Sequence, residues 1–279
     1  YRKFLIKMSI FAVGDIQGCY KEFRNLLREI NFNKKNDVLW LAGDLVNRGP
    51  NSFDVIKYIM DLGSKAVTVL GNHDFYLLAS YFKADPWPHK NNNFQEIIND
   101  PHGKEIIYWL KKQKIVHMDH ELGFILVHAG IHPSWEINDI EFLSRKIENN
   151  LQGENCKKFI ETLWDNNPKK WKKNLSDKEK LIFATNVFTR MRYLNNDLSL
   201  DFNEKSNPNE IKNKNIYPWF NFENKNTEKY KTIIGHWSSL GYFENKNLIS
   251  IDTGCAWGRK LTAIELLQDK KIRKYQIKC

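Results

Sequence analysis

Short apolar runs alternate along the chain with longer stretches in which apolar residues recur every three or four positions. Phe11–Val13, Val38–Ala42 and Ala66–Leu70 are runs of the first kind. Each stops abruptly at a polar turn: Gly14–Asp15–Ile16–Gln17–Gly18, then Gly43–Asp44, then Gly71–Asn72–His73–Asp74. Between them lie two helical patterns. Tyr20–Ile30 places Phe23, Leu26, Leu27 and Ile30 on one face, and Phe53–Leu62 follows Ser52, which reads as its N-cap, and ends at Gly63. Strand, helix and strand at nearly equal intervals is the period of a parallel sheet. Parallel strands point one way, so the polar groups at their ends collect along one sheet edge, where open α/β folds bind ligands.

The same reading extends through the rest of the chain. Phe75–Phe82 is helical, Lys83–Asn99 is a polar insertion carrying Pro86 and Pro88, and Gly103–Lys112 is a helix. Val116–Asp119 and Phe124–Val127 form a hairpin through Glu121–Gly123, and the second strand runs into His128–Ala129–Gly130. Helices are expected at Asp139–Leu151, Lys157–Leu163 and Asp177–Arg192. Asn195–Lys229 is a long polar excursion with Pro208 and Pro218, suited to a cap or lid. Lys231–Ile234 then ends in Gly235–His236, and Leu248–Ile251 in Asp252–Thr253–Gly254, before the antiparallel-type strands Leu261–Leu267 and Ile272–Ile277. The strands of this second half are assigned to a second sheet facing the first. The expectation is one α/β domain over 8–279, two facing mixed β-sheets flanked by helices, with helical and loop excursions near 83–115 and 195–229 as a cap. Met8 reads as a native start, with Tyr1–Lys7 as upstream or appended residues, and the interrupted basic start does not read as a signal peptide.

Composition narrows this only a little. At 279 residues and 42% apolar content the chain can bury a core, and no apolar run is long enough to span a bilayer. Cys19, Cys156, Cys255 and Cys279 are scattered without a Cys-x-x-Cys, which argues against a structural zinc site or a disulfide framework and fits a reducing cytoplasm. The net charge of +10, from 43 Lys+Arg against 33 Asp+Glu, would attract a polyanion. Much of it lies in solvated faces such as Lys169–Lys173 and Lys270–Lys274. Nothing in the chain specifies an oligomeric state.

Five strand ends supply Asp15, Asp44, Asn72, His128 and His236. Any one has a simpler role: Asp44 or Asn72 could cap a helix, and His128 could be a buried structural histidine. Together they form a donor set of carboxylate, amide oxygen and imidazole that suits borderline divalent metals. Two such cations about 3.5–4 Å apart need a bridging carboxylate and turn a water into a nucleophile near neutral pH. Asp44, on the middle strand, is placed to bridge. His89, His102, His117, His120 and His132 lack this context and read as structural, as do Trp237 and Trp257, for which core packing is preferred over base stacking.

Gly-Asp-x-x-Gly, Gly-Asp-x-x-x-Arg-Gly, Gly-Asn-His-Asp, His-Ala-Gly and Gly-His, in this order, resemble the signature of the calcineurin-like metallophosphoesterases. The resemblance is closer still to their symmetrical bis(5′-nucleosyl)-tetraphosphatase branch. It rests on Gly14–Tyr20, Leu41–Pro50, Val69–Leu78, Val127–Trp135, Thr185–Arg192, Gly235–Trp237 and Asp252–Gly258. The donor set suits manganese, iron, cobalt or zinc, with manganese, cobalt or iron preferred, and the resemblance implies two such ions, the first held by Asp15, Gln17 and Asp44 and the second by Asp44, Asn72, His128 and His236. It implies His73 as general acid and Arg48, Arg190 and Arg192 as phosphate ligands. It further implies a dinucleoside polyphosphate substrate, diadenosine tetraphosphate giving two ADP, with capped RNA 5′ ends as related substrates. Gln17 departs from the His of many relatives. Asn47 and Asp74 depart from the Asp and Glu of the Ser/Thr protein phosphatases of the superfamily. A phosphomonoesterase or protein phosphatase on the same metals is the second enzymatic reading, and a non-catalytic polyanion binder is the reading of another class.

Overall fold

The computed structural model describes residues 8–84 and 93–279. Its first half alternates as the periodicity predicts: β1 (Ile10–Val13), α1 (Tyr20–Glu29), β2 (Val38–Leu41), α2 (Ser52–Leu62), β3 (Ala66–Thr68) and α3 (Asn72–Phe82). Then come α4 (Phe94–Ile98), α5 (Gly103–Leu110), β4 (Val116–Asp119), β5 (Phe124–Val127), α6 (Ile137–Gln152), α7 (Cys156–Thr162) and α8 (Asp177–Arg190). The last third holds β6 (Tyr193–Asn195), β7 (Leu200–Asp201), β8 (Ile216–Pro218), β9 (Lys231–Ile234), β10 (Phe243–Glu244), β11 (Leu248–Ser250), β12 (Lys260–Leu266) and β13 (Ile272–Lys278).

Two mixed five-stranded sheets result, in the orders β13-β12-β1-β2-β3 and β10-β11-β9-β5-β4, with a small sheet β7-β6-β8. Register explains why the large sheets stack. Ala12 lies beside Trp40 and Ile264 in the first, and Ile233 beside Leu126 and Ile249 in the second. These residues and Phe124 form one apolar cluster drawn from both sheets, so they fill the space between the two. Alternation sends Phe11, Val13, Leu39 and Leu41 to the other face, into the main core with Phe23 and Leu26 of α1 and Val55 and Ile56 of α2. Among the described residues no helix is long and apolar enough to cross a membrane.

Several expectations need correction. The last two strands do not join the second sheet: β12 pairs antiparallel with β1, and β13 with β12. Alternation alone carries no partner information, and the free edge of β1 was the open position. Ser52 is the first residue of α2 rather than its cap, and its hydroxyl accepts the N–H of Asn47 at 2.9 Å. Helix α3 begins at Asn72, not Phe75, because Asp74 caps its own helix by accepting the N–H of Gly71. Helix α8 stops at Arg190, two residues earlier than expected. The stretch 83–99 is not wholly an insertion: Phe94 and Ile97 are buried in the main core, while 85–92, with His89, lies outside the described residues. Cys255 and Cys279 form a disulfide across 24 residues, against the reading of scattered free thiols. The β12–β13 register pairs Lys260 with Lys278, so the residues flanking the two strands are brought together. Cys19 and Cys156 are free and buried.

Candidate metal centre

Strands β1, β2 and β3 are parallel to one another, and so are β5, β9 and β11. Their carboxyl ends deliver Asp15, Asp44 and Asn72 from one sheet and His128, His236 and Asp252 from the other. All but His128 line one cavity of about 650 Å³, together with Gln17, Arg48 and His73. His128 lies fully buried against it, with its Nε2 3.3 Å from Asn72 Oδ1 and 3.5 Å from Asp44 Oδ1.

The local chain is shaped around these side chains. Gln17, Asp44, Asn47, Arg48 and His236 all have left-handed backbone, with φ of 44°, 50°, 77°, 63° and 63°. Such conformations cost non-glycine residues about 1–3 kcal/mol each and cluster at functional sites. Two glycines make the room. A Cβ on Gly71 would collide with Asp44 Oδ1, and one on Gly235 with Asp15 Oδ1. The backbone then holds the carboxylates. Asp15 accepts the N–H of His236 at 3.1 and 3.2 Å, and Asp44 Oδ1 accepts that of His73 at 2.8 Å. Buried Asp74 accepts the N–H groups of Asp44 at 2.8 Å and Leu45 at 3.0 Å, fixing the turn that presents Asp44.

The donor chemistry decides what this cluster can hold. His128 Nδ1 donates to the carbonyl of Ala42 at 2.7 Å, which leaves the Nε2 lone pair directed at the oxygens of Asn72 and Asp44. Nitrogen and oxygen acceptors facing one another in this way suit a shared cation. Ligand atoms of Asp15, Asp44 and His128 all lie within 4.8 Å of one another. Burial first, then repulsion from Asp252 and Asp44, holds the Asp15 carboxyl well above the usual carboxylate range. Burial chiefly, with Asp44 adding, pushes Asp252 up to about 6. Burial also depresses His128, keeping it the neutral ligand form. These residues fit a divalent cation, which would relieve the mutual repulsion of the carboxylates.

The remaining predicted site residues are less uniform. Gln17 turns its Nε2 to Asp44 Oδ2 at 3.3 Å. His236 donates from Nε2 to the carbonyl of Arg190 at 3.1 Å, leaving Nδ1 as its lone-pair nitrogen; its ring centroid lies 5.0 Å from that of His128. Arg192 donates to the carbonyl of His236 at 2.8 Å and stands as a counter-charge to Asp252, Asp15 and Asp44. Arg190 is braced by the Oδ1 atoms of Asn186 at 2.7 Å and Asn166 at 2.9 Å. Arg48 lies over the ring of Trp257. Trp237 packs in the core beside Tyr193 and Phe220, as expected. Trp257 does not: it is 57% exposed on the cavity rim, one residue beyond Ala256, the last of its turn to pack against the core.

Sequence reasoning passed over Asp252, although it repeats the strand-then-acid design of Asp15 and Asp44. Asn47 was weighed only as a departure, yet it positions His73. Its Oδ1 accepts the N–H of Arg48 at 2.8 Å, so its amide N–H is the group that faces His73 Nδ1 at 2.8 Å. His73 therefore carries its proton on Nε2. Tyr76, Phe202, Lys205, Ser238 and Ser239 also line the cavity, and no spacing signal marked them.

Residues 8–207 match the family model described as calcineurin-like phosphoesterase. The chain is 39% identical over 265 residues to the symmetrical bis(5′-nucleosyl)-tetraphosphatase of Aromatoleum aromaticum, covering 95% of this chain and 96% of that protein. It is 41% identical over 265 residues to the protein of the same name from Buchnera aphidicola, with the same coverage. The chain belongs to the symmetrical bis(5′-nucleosyl)-tetraphosphatase family. The crystal structure of a candidate diadenosine tetraphosphatase shares the fold of this family member, with a TM-score of 0.63 at 21% identity over 98% of this chain and 95% of that one. The tetraphosphatase fold is shared with a cold-active protein tyrosine phosphatase at a TM-score of 0.56 and 14% identity, over 97% and 80% of the two chains.

Proposed function

We propose that this chain, as one domain over 8–279, hydrolyses dinucleoside polyphosphates symmetrically, with diadenosine tetraphosphate giving two ADP. The observation that carries the reading is the cluster of Asp15, Asp44 and His128 ligand atoms, with Asp15 and Asp44 lining the same cavity as a His73 protonated on Nε2 and His128 buried against it. The names of the relatives supply the substrate class.

Asp15, Gln17 and Asp44 would hold one divalent ion, and Asp44, Asn72, His128 and His236 a second. When bound, the ions supply Lewis acidity toward phosphate and lower the pKa of a water that attacks it. The mixed oxygen and nitrogen donors suit manganese, cobalt or iron. The protein does the rest. Arg48, Arg190 and Arg192 index the phosphate chain with planar guanidinium groups. His73 Nε2 hands its proton to the departing phosphate oxygen, and Asn47 holds the ring in the tautomer that can do so. Asp74 keeps Asp44 in place through two backbone N–H groups. The net charge of +10 favours encounter with a polyanionic substrate. We place this activity in the cytoplasm, the compartment of its proposed nucleotide substrates.

A specific feature favours capped RNA 5′ ends as a second substrate. A groove of about 620 Å³ shares Ser238 and Ser239 with the metal cavity and carries Arg259, Lys260, Lys274 and Lys278. Such a basic path would take the phosphates of an RNA chain leaving the site.

Turnover of diadenosine tetraphosphate after chelation and reloading with defined metals tests the assignment. Chelated protein should be inactive and manganese or cobalt should restore it. Full activity after metal removal, verified by elemental analysis, would overturn it.

A further inference from the structure

Of the aromatic residues in the wall of the metal cavity, two have an arginine of the proposed reaction over the ring. Trp257 is one. It sits in a single helical turn, Cys255–Trp257, which the Cys255–Cys279 disulfide anchors to the end of β13. The indole is thus exposed without being loose, and the Arg48 guanidinium lies 5.1 Å from its ring centroid. Phe202 is the other. It follows β7 in the small sheet, is only half-buried, and the Arg190 guanidinium lies 4.6 Å from its centroid. The two pairs share no residue and come from different walls. Arg48 and Trp257 lie on loops beside β2 and β12 of the first large sheet, and Arg190 and Phe202 on α8 and the small sheet. Both pairs border the cavity that holds the carboxylate cluster.

Trp257 packs against no part of the core, and Phe202 packs against it with one side while still lining the cavity. A flat ring with a cation beside it suits the junction of a nucleotide, where a base meets its phosphates. Aromatic side chains stack any base, because every base has a π-face. We propose that Trp257 and Phe202 are the platforms for the two bases of the substrate, one for each nucleoside. Arg48 and Arg190 then meet the phosphates nearest each base. This rests on the dinucleotide reading above and deepens it: the site would select for two nucleosides joined by a phosphate bridge, with little preference among bases.

The test is calorimetric binding of ADP and of pyrophosphate to the manganese-loaded protein, with kinetics on diadenosine tetraphosphate alongside. Pyrophosphate keeps the two phosphates of ADP but lacks its base and ribose. ADP should bind wild type more tightly than pyrophosphate by about 5–100-fold, as expected of base–aromatic stacking. The double variant Trp257→Ala, Phe202→Ala should bind the two alike. In turnover, each single variant should raise KM by about the same factor while kcat changes less than about threefold. Trp257→Phe should recover most of the loss. Phe202→Leu, which keeps apolar packing, should behave like Phe202→Ala. An ADP preference retained in the double variant, or absent in wild type, overturns the platforms whether or not the dinucleotide is cleaved. A loss of kcat without a rise in KM overturns them too. A wild type that prefers ADP but cleaves no diadenosine tetraphosphate overturns the functional assignment alone.

Discussion

His132 lies four residues beyond His128 and ties the metal-site loop to the β6–β7 hairpin. Its Nε2 donates to the carbonyl of Leu198 at 3.0 Å, and its Nδ1 accepts the N–H of Ser134 at 3.3 Å. The ring is packed against Trp135 and Phe183 and is 1% exposed. It is thus a neutral histidine with both nitrogens used, and burial pushes it down to about 4 from 6.5. A histidine whose folded pKa lies below its unfolded one is protonated first in the unfolded chain. Its neutral state therefore supports folding fully above about pH 6.5, and that support is lost as pH falls from 6.5 toward 4. At 1.36 kcal/mol per pKa unit, the whole loss is about 3 kcal/mol, and about 2 kcal/mol is gone by pH 5. His132→Gln keeps an N–H for Leu198 and cannot titrate. Urea unfolding of metal-free wild type and variant at pH 7 and pH 5 isolates the effect, because any fixed cost of the substitution cancels in the difference. Wild type should lose about 2 kcal/mol more than the variant on acidification. Parallel losses, within about 0.5 kcal/mol, would refute the argument.

His73→Asn removes the proposed proton donor and should lower kcat by about 10²–10⁴-fold with little change in metal content, read by steady-state kinetics and elemental analysis. An equal loss of metal would make His73 a ligand instead. Gly235→Ala sets a methyl against Asp15 Oδ1 and should weaken metal binding by about 10–100-fold in calorimetry while the protein still unfolds cooperatively. Unchanged affinity would show that Asp15 is free to move.

The first half of the fold was legible because its signals are local. Apolar runs that end in Gly-Asp or Gly-Asn fix both the strand and the group at its tip, and parallel topology then brings Asp15, Asp44 and Asn72 to one edge. His128 and His236 followed from the same logic in the second sheet, and Asp252 could have. What stayed hidden depends on partners distant in sequence. Nothing in Leu261–Leu267 says that it will pair with β1, and only the β12–β13 register, with the turn that closes Arg259 onto Gly254, brings Cys255 to Cys279. The exposure of Trp257 was equally invisible, since an aromatic residue beside small ones reads the same in a core and on a rim. Asn47 could be named from its motif, but its task depends on which end of its amide meets His73, and the N–H of Arg48 decides that.

The bond that breaks tests the account most directly. On the proposed reading, Asp15, Asp44 and His128 would set where a phosphorus atom is attacked, and the arginines along the cavity would set which one it is. In a tetraphosphate bridge the two inner phosphorus atoms are equivalent, so cleavage of the central linkage yields two ADP, whereas attack at an outer one yields AMP and ATP. The measurement is chromatography with mass detection of the first products formed from diadenosine tetraphosphate by the manganese-loaded protein in heavy-oxygen water. Two ADP, with the heavy atom in one of each pair, is the predicted result. AMP and ATP in equal amounts would contradict the symmetrical assignment.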